Sequence, residues 1–144
     1  MKKNIKIVLT GGGTAGHVMP HLALLPLMKK LGWNINYIGT SGIEQKLAKI
    51  HEINFTTIKA GKLRRYLSLN NFLDAINVII GILQAFFALF FIKPDVVFSK
   101  GGFVSVPVAI ASWLLRIPVI THESDVTPGL ANRIIMKFAH TVLY

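Results

Sequence analysis

Short apolar runs alternate along the chain with longer segments in which apolar residues recur at helical spacing. The short runs predict strands at residues 5–9, 36–38, 55–58, 96–98 and 119–121, and the longer segments predict helices at residues 20–31, 42–50, 69–91, 104–115 and 129–139. The strands are continuously apolar and rich in β-branched residues, which is typical of strands covered on both faces. This order predicts a single α/β domain over residues 1–144, built on a doubly wound, Rossmann-like parallel sheet.

The third predicted helix is unusually apolar. Between Ile76 and Ile92 only Asn77 and Gln84 are polar. Such a run is near the lower limit for crossing a bilayer, which takes about 17 to 25 apolar residues. It is open to three interpretations: a buried crossover helix, a helix in the membrane interface, or a spanning helix. We favour a combination of the first two, in which one face packs on the sheet and the other contacts lipid.

Composition narrows the class of partner. The 16 Lys and Arg residues outnumber the 6 Asp and Glu residues, and the resulting charge of +10 favours an anionic partner. Because 52% of the residues are hydrophobic, a membrane surface or a phosphorylated substrate fits better than nucleic acid. Lys62, Arg64 and Arg65 precede the apolar helix and are suited to anionic head groups. The absence of cysteine excludes disulfides and thiolate metal sites, and no metal site or cofactor is predicted.

The first predicted strand leads into a turn that contains four glycines and ends in a histidine. Glycines let backbone N–H groups approach a phosphate closely, and His17 adds a group capable of proton transfer. The predicted binding residues of this turn are Gly13, Thr14, Ala15 and Gly16. The turn is not a dinucleotide fingerprint, because no acidic residue follows the second strand. A tight turn without a ligand is the alternative.

A second loop follows the fourth predicted strand, at the same edge of the sheet. We expect Gly101 and Gly102 to expose N–H groups there and Lys100 to act as a mobile cation for phosphate. The alternative is that Lys100 is simply solvated.

A third loop follows the fifth predicted strand and holds Glu123 and Asp125, two of the six acidic residues. Either is predicted to act as a general base, to orient His17, or to hydrogen-bond sugar hydroxyls. Alternatively, Asp125 or Thr127 caps the helix that follows, which leaves Glu123 unexplained. Asn132, one turn into that helix, is expected to face the same crevice.

The motifs of these loops resemble those of one known family. Residues 10–20, 38–44, 100–105 and 122–132 are similar, in order and spacing, to the N-terminal domain of the MurG family, the UDP-GlcNAc:lipid I N-acetylglucosaminyltransferases of glycosyltransferase family 28. The resemblance covers essentially the whole chain. It implies one half of a GT-B fold, with the active site between two Rossmann-like domains. It also implies an inverting hexosyltransferase that moves GlcNAc from UDP-GlcNAc onto lipid I, giving lipid II in peptidoglycan synthesis.

The resemblance further implies roles for individual residues. It places residues 14–17 at the interdomain cleft, in reach of diphosphate, and Glu123 and Asn132 at active-site positions, so that His17 and Glu123 are the candidate bases. It also implies that this domain binds the lipid acceptor, and that the enzyme lies peripherally on the cytoplasmic face of the plasma membrane.

The chain departs from the family pattern in three residues and in length. Asp125, Phe103 and Ala15 stand where Asn, Tyr and Gly are common. Family members are longer, and their C-terminal domain supplies most of the donor site. We expect that domain to lie outside these 144 residues, either in a longer protein or in a partner chain, and the chain alone to be inactive. The alternative function is a non-catalytic, membrane-recruiting subunit of a split glycosyltransferase.

Overall fold

The structure, a computed structural model, describes residues 4–62 and 69–144. The strands are β1 (Lys6–Gly11), β2 (Asn34–Gly39), β3 (Asn54–Thr57), β4 (Val96–Gly101), β5 (Val119–His122) and β6 (Thr141–Leu143). The helices are α1 (Met19–Lys30), α2 (Ile43–Ile50), α3 (Leu69–Ile92), α4 (Ser105–Leu114) and α5 (Leu130–Phe138). A short 3₁₀ turn, Ala15–His17, lies between β1 and α1.

The strands form one parallel sheet in the order β3-β2-β1-β4-β5-β6. The chain first builds outward from β1 through β2 and β3, and then returns to place β4 on the other side of β1. The order therefore reverses between β1 and β4, and ligands of doubly wound sheets bind beyond the carboxyl ends of the strands at this point. The predicted α/β fold is confirmed.

Alternate residues of β1 face two separate cores. Val8 packs with Leu89 of α3 and Val108 of α4 on one face of the sheet. Leu9 packs with Leu25 of α1 and Ala48 of α2 on the other face. Burial of each aliphatic side chain contributes roughly 1.5–3 kcal/mol. The central strand is thus fixed on both faces, which gives the turn at its carboxyl end a rigid base.

Three strands extend further toward the crevice than the sequence predicts. β1 ends at Gly11, β4 at Gly101 and β5 at His122, and Gly11 pairs with Gly101. The Ser99 hydroxyl accepts a hydrogen bond from the N–H of Gly101 at 3.1 Å, which supports the extension of β4. Lys100 and Gly101 are therefore strand residues, which corrects their assignment to a loop.

Helix α3 has one buried and one exposed face, as predicted. Ala85 and Leu89 are fully buried in the core beneath it. The exposed face carries large apolar side chains at helical spacing, namely Phe72, Leu73, Ile76, Ile79, Leu83, Phe87, Phe90 and Phe91. Within the described ranges one helix, at Asn71–Ile92, is long and apolar enough to cross a membrane by length and composition.

Candidate active site

The turns after β1, β4 and β5 meet at one crevice, as their place at neighbouring strand ends predicts. A Cβ atom on Gly102 would lie 2.6 Å from the carbonyl oxygen of Gly12 and 3.1 Å from Nδ1 of His17. Lys100 Nζ, at the end of β4, donates to Ser124 Oγ at 3.0 Å. Two open cavities of about 370 and 260 Å³ share His17, Asp125 and Asn132 as lining residues.

The glycine-rich turn supplies free N–H donors to this crevice. The backbone N–H groups of Gly13, Thr14, Ala15 and Gly16 donate to no acceptor in the part of the chain that the structure describes. All four residues are exposed, and Thr14 and Gly16 line the smaller cavity. Successive unpaired N–H groups of this kind suit an anion.

His17, at the end of the same turn, is half-buried and has one ring nitrogen engaged. Its Nδ1 lies 3.0 Å from Thr14 Oγ1. When Nδ1 carries the proton and donates it to Thr14, Nε2 keeps the lone pair that a general base needs. Thr14 is therefore the side chain that contacts the His17 ring directly, a contact for which the sequence offered Glu123 or Asp125 as candidates.

The N–H groups of Gly101 and Gly102 donate to side chains of the domain itself. Gly101 donates to Ser99 Oγ at 3.1 Å, and Gly102 donates to Asn132 Oδ1 at 2.9 Å. The expectation that Gly101 and Gly102 present N–H groups to a phosphate is therefore wrong. Glycine is required here because both residues have left-handed backbones, with φ of +93° and +81°.

Lys100 is neither mobile nor solvated, so both expectations for it are wrong. It is 4% exposed, and its ammonium group is held by Ser124. It nevertheless lines the smaller cavity together with Thr14 and Gly16. It therefore places a fixed positive charge behind the free N–H groups of the glycine turn.

Glu123 is 3% exposed and has both carboxylate oxygens engaged. Oε1 accepts from the N–H of Asp125 at 2.8 Å, and Oε2 accepts from Asn132 Nδ2 at 2.7 Å. Burial raises the pKa of Glu123, but these hydrogen bonds, one from the Ser124 backbone and the charge of Lys100 outweigh it and hold the pKa below its ordinary value. Glu123 is thus a fixed carboxylate anion.

The beginning of α5 decides the capping alternative. The N-cap is Gly129, and no side chain caps the helix. The proposal that Asp125 or Thr127 caps it is therefore wrong. Asp125 is exposed and lines both cavities, and Asn132 faces the crevice as expected.

One buried acid behind the glycine turn was given no role from the sequence. Glu44 is fully buried, and its Oε1 accepts from the backbone N–H and the hydroxyl of Thr40. A Cβ atom on Gly12 would lie 2.6 Å from this carboxyl group. Its place in the motif at residues 38–44, as one of only six acids, was the available signal.

A buried His–Tyr pair lies directly beneath the same turn. The Tyr37 hydroxyl donates to the carbonyl oxygen of Gly11 at 2.6 Å, and burial, with a smaller contribution from Glu44, raises its pKa. His21 is fully buried, and its Nε2 has no partner in the described ranges. Burial, with smaller contributions from Lys100, His122 and His17, lowers the pKa of His21 to about 3. The imidazole is therefore neutral at physiological pH.

Comparison with known proteins identifies the family. The model of the glycosyltransferase family 28 N-terminal domain matches residues 7–144. The chain belongs to glycosyltransferase family 28.

In the residues that the structure describes, no group of three His, Cys, Asp or Glu side chains is placed to hold a metal ion.

Curated relatives of this family 28 domain carry one enzyme name. A Clostridium kluyveri protein is 59% identical over 130 residues, covering 90% of this chain and 37% of the relative. A Legionella pneumophila (strain Corby) protein is 53% identical over 137 residues, covering 94% and 38%. Both are named UDP-N-acetylglucosamine–N-acetylmuramyl-(pentapeptide) pyrophosphoryl-undecaprenol N-acetylglucosamine transferase. The chain thus spans under two fifths of the length of these relatives.

Solved structures give the same fold. MurG of Acinetobacter baumannii matches with a TM-score of 0.79 at 27% identity, over 96% of this chain and 40% of that protein. A UDP-GlcNAc 2-epimerase from Neisseria meningitidis matches with a TM-score of 0.66 at 16% identity, over 96% and 39%, which shows a shared fold alone. The family 28 domain therefore has the N-terminal architecture of GT-B glycosyltransferases.

Proposed function

We propose that this domain is the acceptor-binding half of a transferase that moves GlcNAc from UDP-GlcNAc to undecaprenyl-pyrophosphoryl-MurNAc-pentapeptide (lipid I), giving lipid II. The observation that carries the proposal is its identity, 59% and 53% over most of the chain, to enzymes named for this transfer. A C-terminal domain, in a longer protein or a partner chain, binds most of UDP-GlcNAc. The place of action is the cytoplasmic face of the plasma membrane.

The crevice supports an inverting displacement with His17 as the base. Nε2 removes the proton of the acceptor 4-hydroxyl while that oxygen attacks the anomeric carbon of GlcNAc. The bond from this carbon to the UDP oxygen breaks, and UDP leaves with the electron pair. The contact between Thr14 Oγ1 and Nδ1 holds the ring orientation and leaves Nε2 for the acceptor hydroxyl.

The glycine turn is suited to a diphosphate beside this base. Thr14 and Gly16, from the turn with the free N–H groups, line the same cavity as the buried Lys100. Together they offer several donors and one fixed positive charge, which is the chemistry that a phosphate group requires. Asn132 and Asp125 complete the polar wall of the same cavity.

The exposed face of α3 is proposed as the membrane-binding surface. Trp113 and Leu114, at the end of α4, are also exposed, and α4 packs along α3. Basic groups adjoin these apolar side chains: Lys93 follows α3 directly, and Arg116 and Lys137 border a cavity of about 460 Å³ beside Trp113. An apolar surface with a basic rim binds anionic bilayers. Lys62 lines the larger cavity of the crevice, whereas Arg64 and Arg65 lie outside the described residues.

The test joins this chain to the part of the Clostridium kluyveri relative that it does not cover, and measures lipid II formation from lipid I and UDP-GlcNAc. His17→Ala is expected to lower kcat by about 10²- to 10⁴-fold, the usual contribution of a general base. The matched control is His51→Ala, an exposed histidine at the end of α2. Turnover of His17→Ala equal to that of the control would contradict the assignment.

A non-catalytic, membrane-recruiting subunit is the second candidate, favoured by the exposed face of α3. The same protein distinguishes the two. Vesicle binding without any lipid II formation by the unsubstituted fusion would favour recruitment, whereas lipid II formation would favour the transferase.

A further inference from the structure

Three hydrogen bonds join the third loop, α5 and the end of β4 into one chain. The N–H of Asp125 donates to Glu123 Oε1 at 2.8 Å. Asn132 Nδ2 donates to Glu123 Oε2 at 2.7 Å, and Asn132 Oδ1 accepts from the N–H of Gly102 at 2.9 Å. All three bonds are part-buried and Glu123 itself is 3% exposed, so the loss of a partner leaves a poorly solvated polar group and is costly.

The two ends of this hydrogen-bonded series fix the donor and the acceptor of every hydrogen bond in it. Both ends are backbone N–H groups, at Asp125 and Gly102, which only donate. The amide of Asn132 must therefore turn its oxygen to Gly102 and its nitrogen to Glu123. An acceptor is then required at both oxygens of residue 123, and an ionised carboxylate is the side chain that meets this requirement.

This series of hydrogen bonds ends at Gly102, next to His17. Gly102 has a left-handed backbone, with φ of +81°, and its Cα faces His17 so closely that a Cβ would lie 3.1 Å from Nδ1. The N–H that Asn132 holds belongs to this same residue. A change at Glu123 therefore reaches the imidazole through Asn132 and Gly102.

We propose that Glu123 and Asn132 are a positioning pair for His17, and that Glu123 is not the base. This inference rests on the proposed transferase function. Both oxygens of Glu123 already accept hydrogen bonds and the side chain is 3% exposed, so the carboxylate is held in the wall of the cavity instead of extending into it. The same bonds favour its ionised form, which makes it a weaker base than an ordinary glutamate.

Exchange of the two functional groups tests the proposal. Glu123→Gln places an NH₂ group against either the N–H of Asp125 or the NH₂ of Asn132, so one bond is lost. Asn132→Asp places a second carboxylate against Glu123. In the double variant Glu123→Gln/Asn132→Asp, the new amide oxygen accepts from Asp125 and the new amide nitrogen donates to the carboxylate introduced at position 132. That carboxylate in turn accepts from Gly102. All three hydrogen bonds are restored, while the negative charge moves from position 123 to position 132.

In the fusion enzyme described above, we expect each single variant to lower kcat by about 10- to 100-fold, the range for losing one charge-assisted hydrogen bond. The double variant is expected to recover most of this loss, because all three hydrogen bonds are restored. A matched double control, Glu52→Gln/Asn54→Asp, makes the same exchange at exposed residues before β3 and at its start. A double variant no more active than Glu123→Gln would overturn the proposal.

A second measurement on the 144-residue chain is independent of catalysis. The amide proton of Gly102 is expected to be protected from hydrogen exchange in the parent and in the double variant. It is expected to lose protection in Asn132→Asp, because repulsion between the two carboxylates displaces its acceptor. Equal protection of this amide in the parent, Asn132→Asp and the double variant would overturn the positioning pair. Failure of the unsubstituted fusion to make lipid II would instead count against the transferase function, while hydrogen exchange would still decide whether the pair holds Gly102.

Discussion

His21 makes the stability of the domain depend on pH in a predictable window. Its pKa is lowered from 6.5 to about 3 in the folded chain, first by burial and then by nearby positive charges. The unfolded chain therefore binds a proton between these two values that the folded chain does not bind, so stability is full above pH 6.5 and falls as the pH decreases below it. One such proton corresponds to about 1.4 kcal/mol per pH unit. We expect His21 to account for a loss of about 1 kcal/mol between about pH 6 and about pH 5.

Urea unfolding of the 144-residue chain at about pH 7.5, 6 and 5 measures this effect. His21→Leu has similar volume, cannot titrate and removes the unpartnered Nε2. The parent is expected to lose unfolding free energy between the two lower pH values, and in His21→Leu this loss is expected to be smaller by about 1 kcal/mol. The control His51→Leu removes an exposed imidazole, and its pH dependence should match the parent. An equal pH dependence of stability in His21→Leu and in the parent would show that His21 does not cause the loss.

Two further predictions concern the crevice and the surface. Gly102→Ala is expected to destabilise the chain by about 1–3 kcal/mol, because its φ is +81° and its Cβ would lie 2.6 Å from the Gly12 oxygen. Thermal unfolding tests this prediction, with Gly16→Ala as the control because the atom nearest to its new Cβ is 3.8 Å away. Equal melting temperatures of the two variants would contradict the prediction. Leu83→Ser/Phe87→Ser is expected to weaken flotation with anionic vesicles at least about tenfold, since each apolar side chain contributes about 1 kcal/mol or more. Leu24→Ser/Leu27→Ser, on exposed leucines of α1, is the control, and equal flotation of both variants would refute the surface.

The parts of the fold that depend on pattern were predictable. Continuous apolar strands alternating with helices define a sheet covered on both faces, and strands of that kind place their following turns at one edge. The two faces of α3 also follow from its spacing, since residues three and four apart share a face. The convergence of the three loops on His17 is a consequence of these rules.

The parts that depend on tertiary hydrogen bonds were not predictable. Lys100 and Gly101 look like loop residues, because a polar and a glycine residue rarely continue a buried strand. They do so here because Ser99 and Ser124 satisfy their donors. Glu44 lies behind Gly12 on a helix that follows a further strand along the chain, so the motif at residues 38–44 marks the residue but does not reveal this proximity.

In the proposed function, this domain binds the lipid acceptor and a second domain binds most of the donor. The most direct test is binding of the 144-residue chain to vesicles with and without lipid I at matched lipid charge, alongside calorimetry with UDP-GlcNAc. We predict tighter binding to vesicles that contain lipid I and little binding of UDP-GlcNAc in the absence of a second domain. Strong binding of UDP-GlcNAc, with no preference for lipid I, would contradict the account.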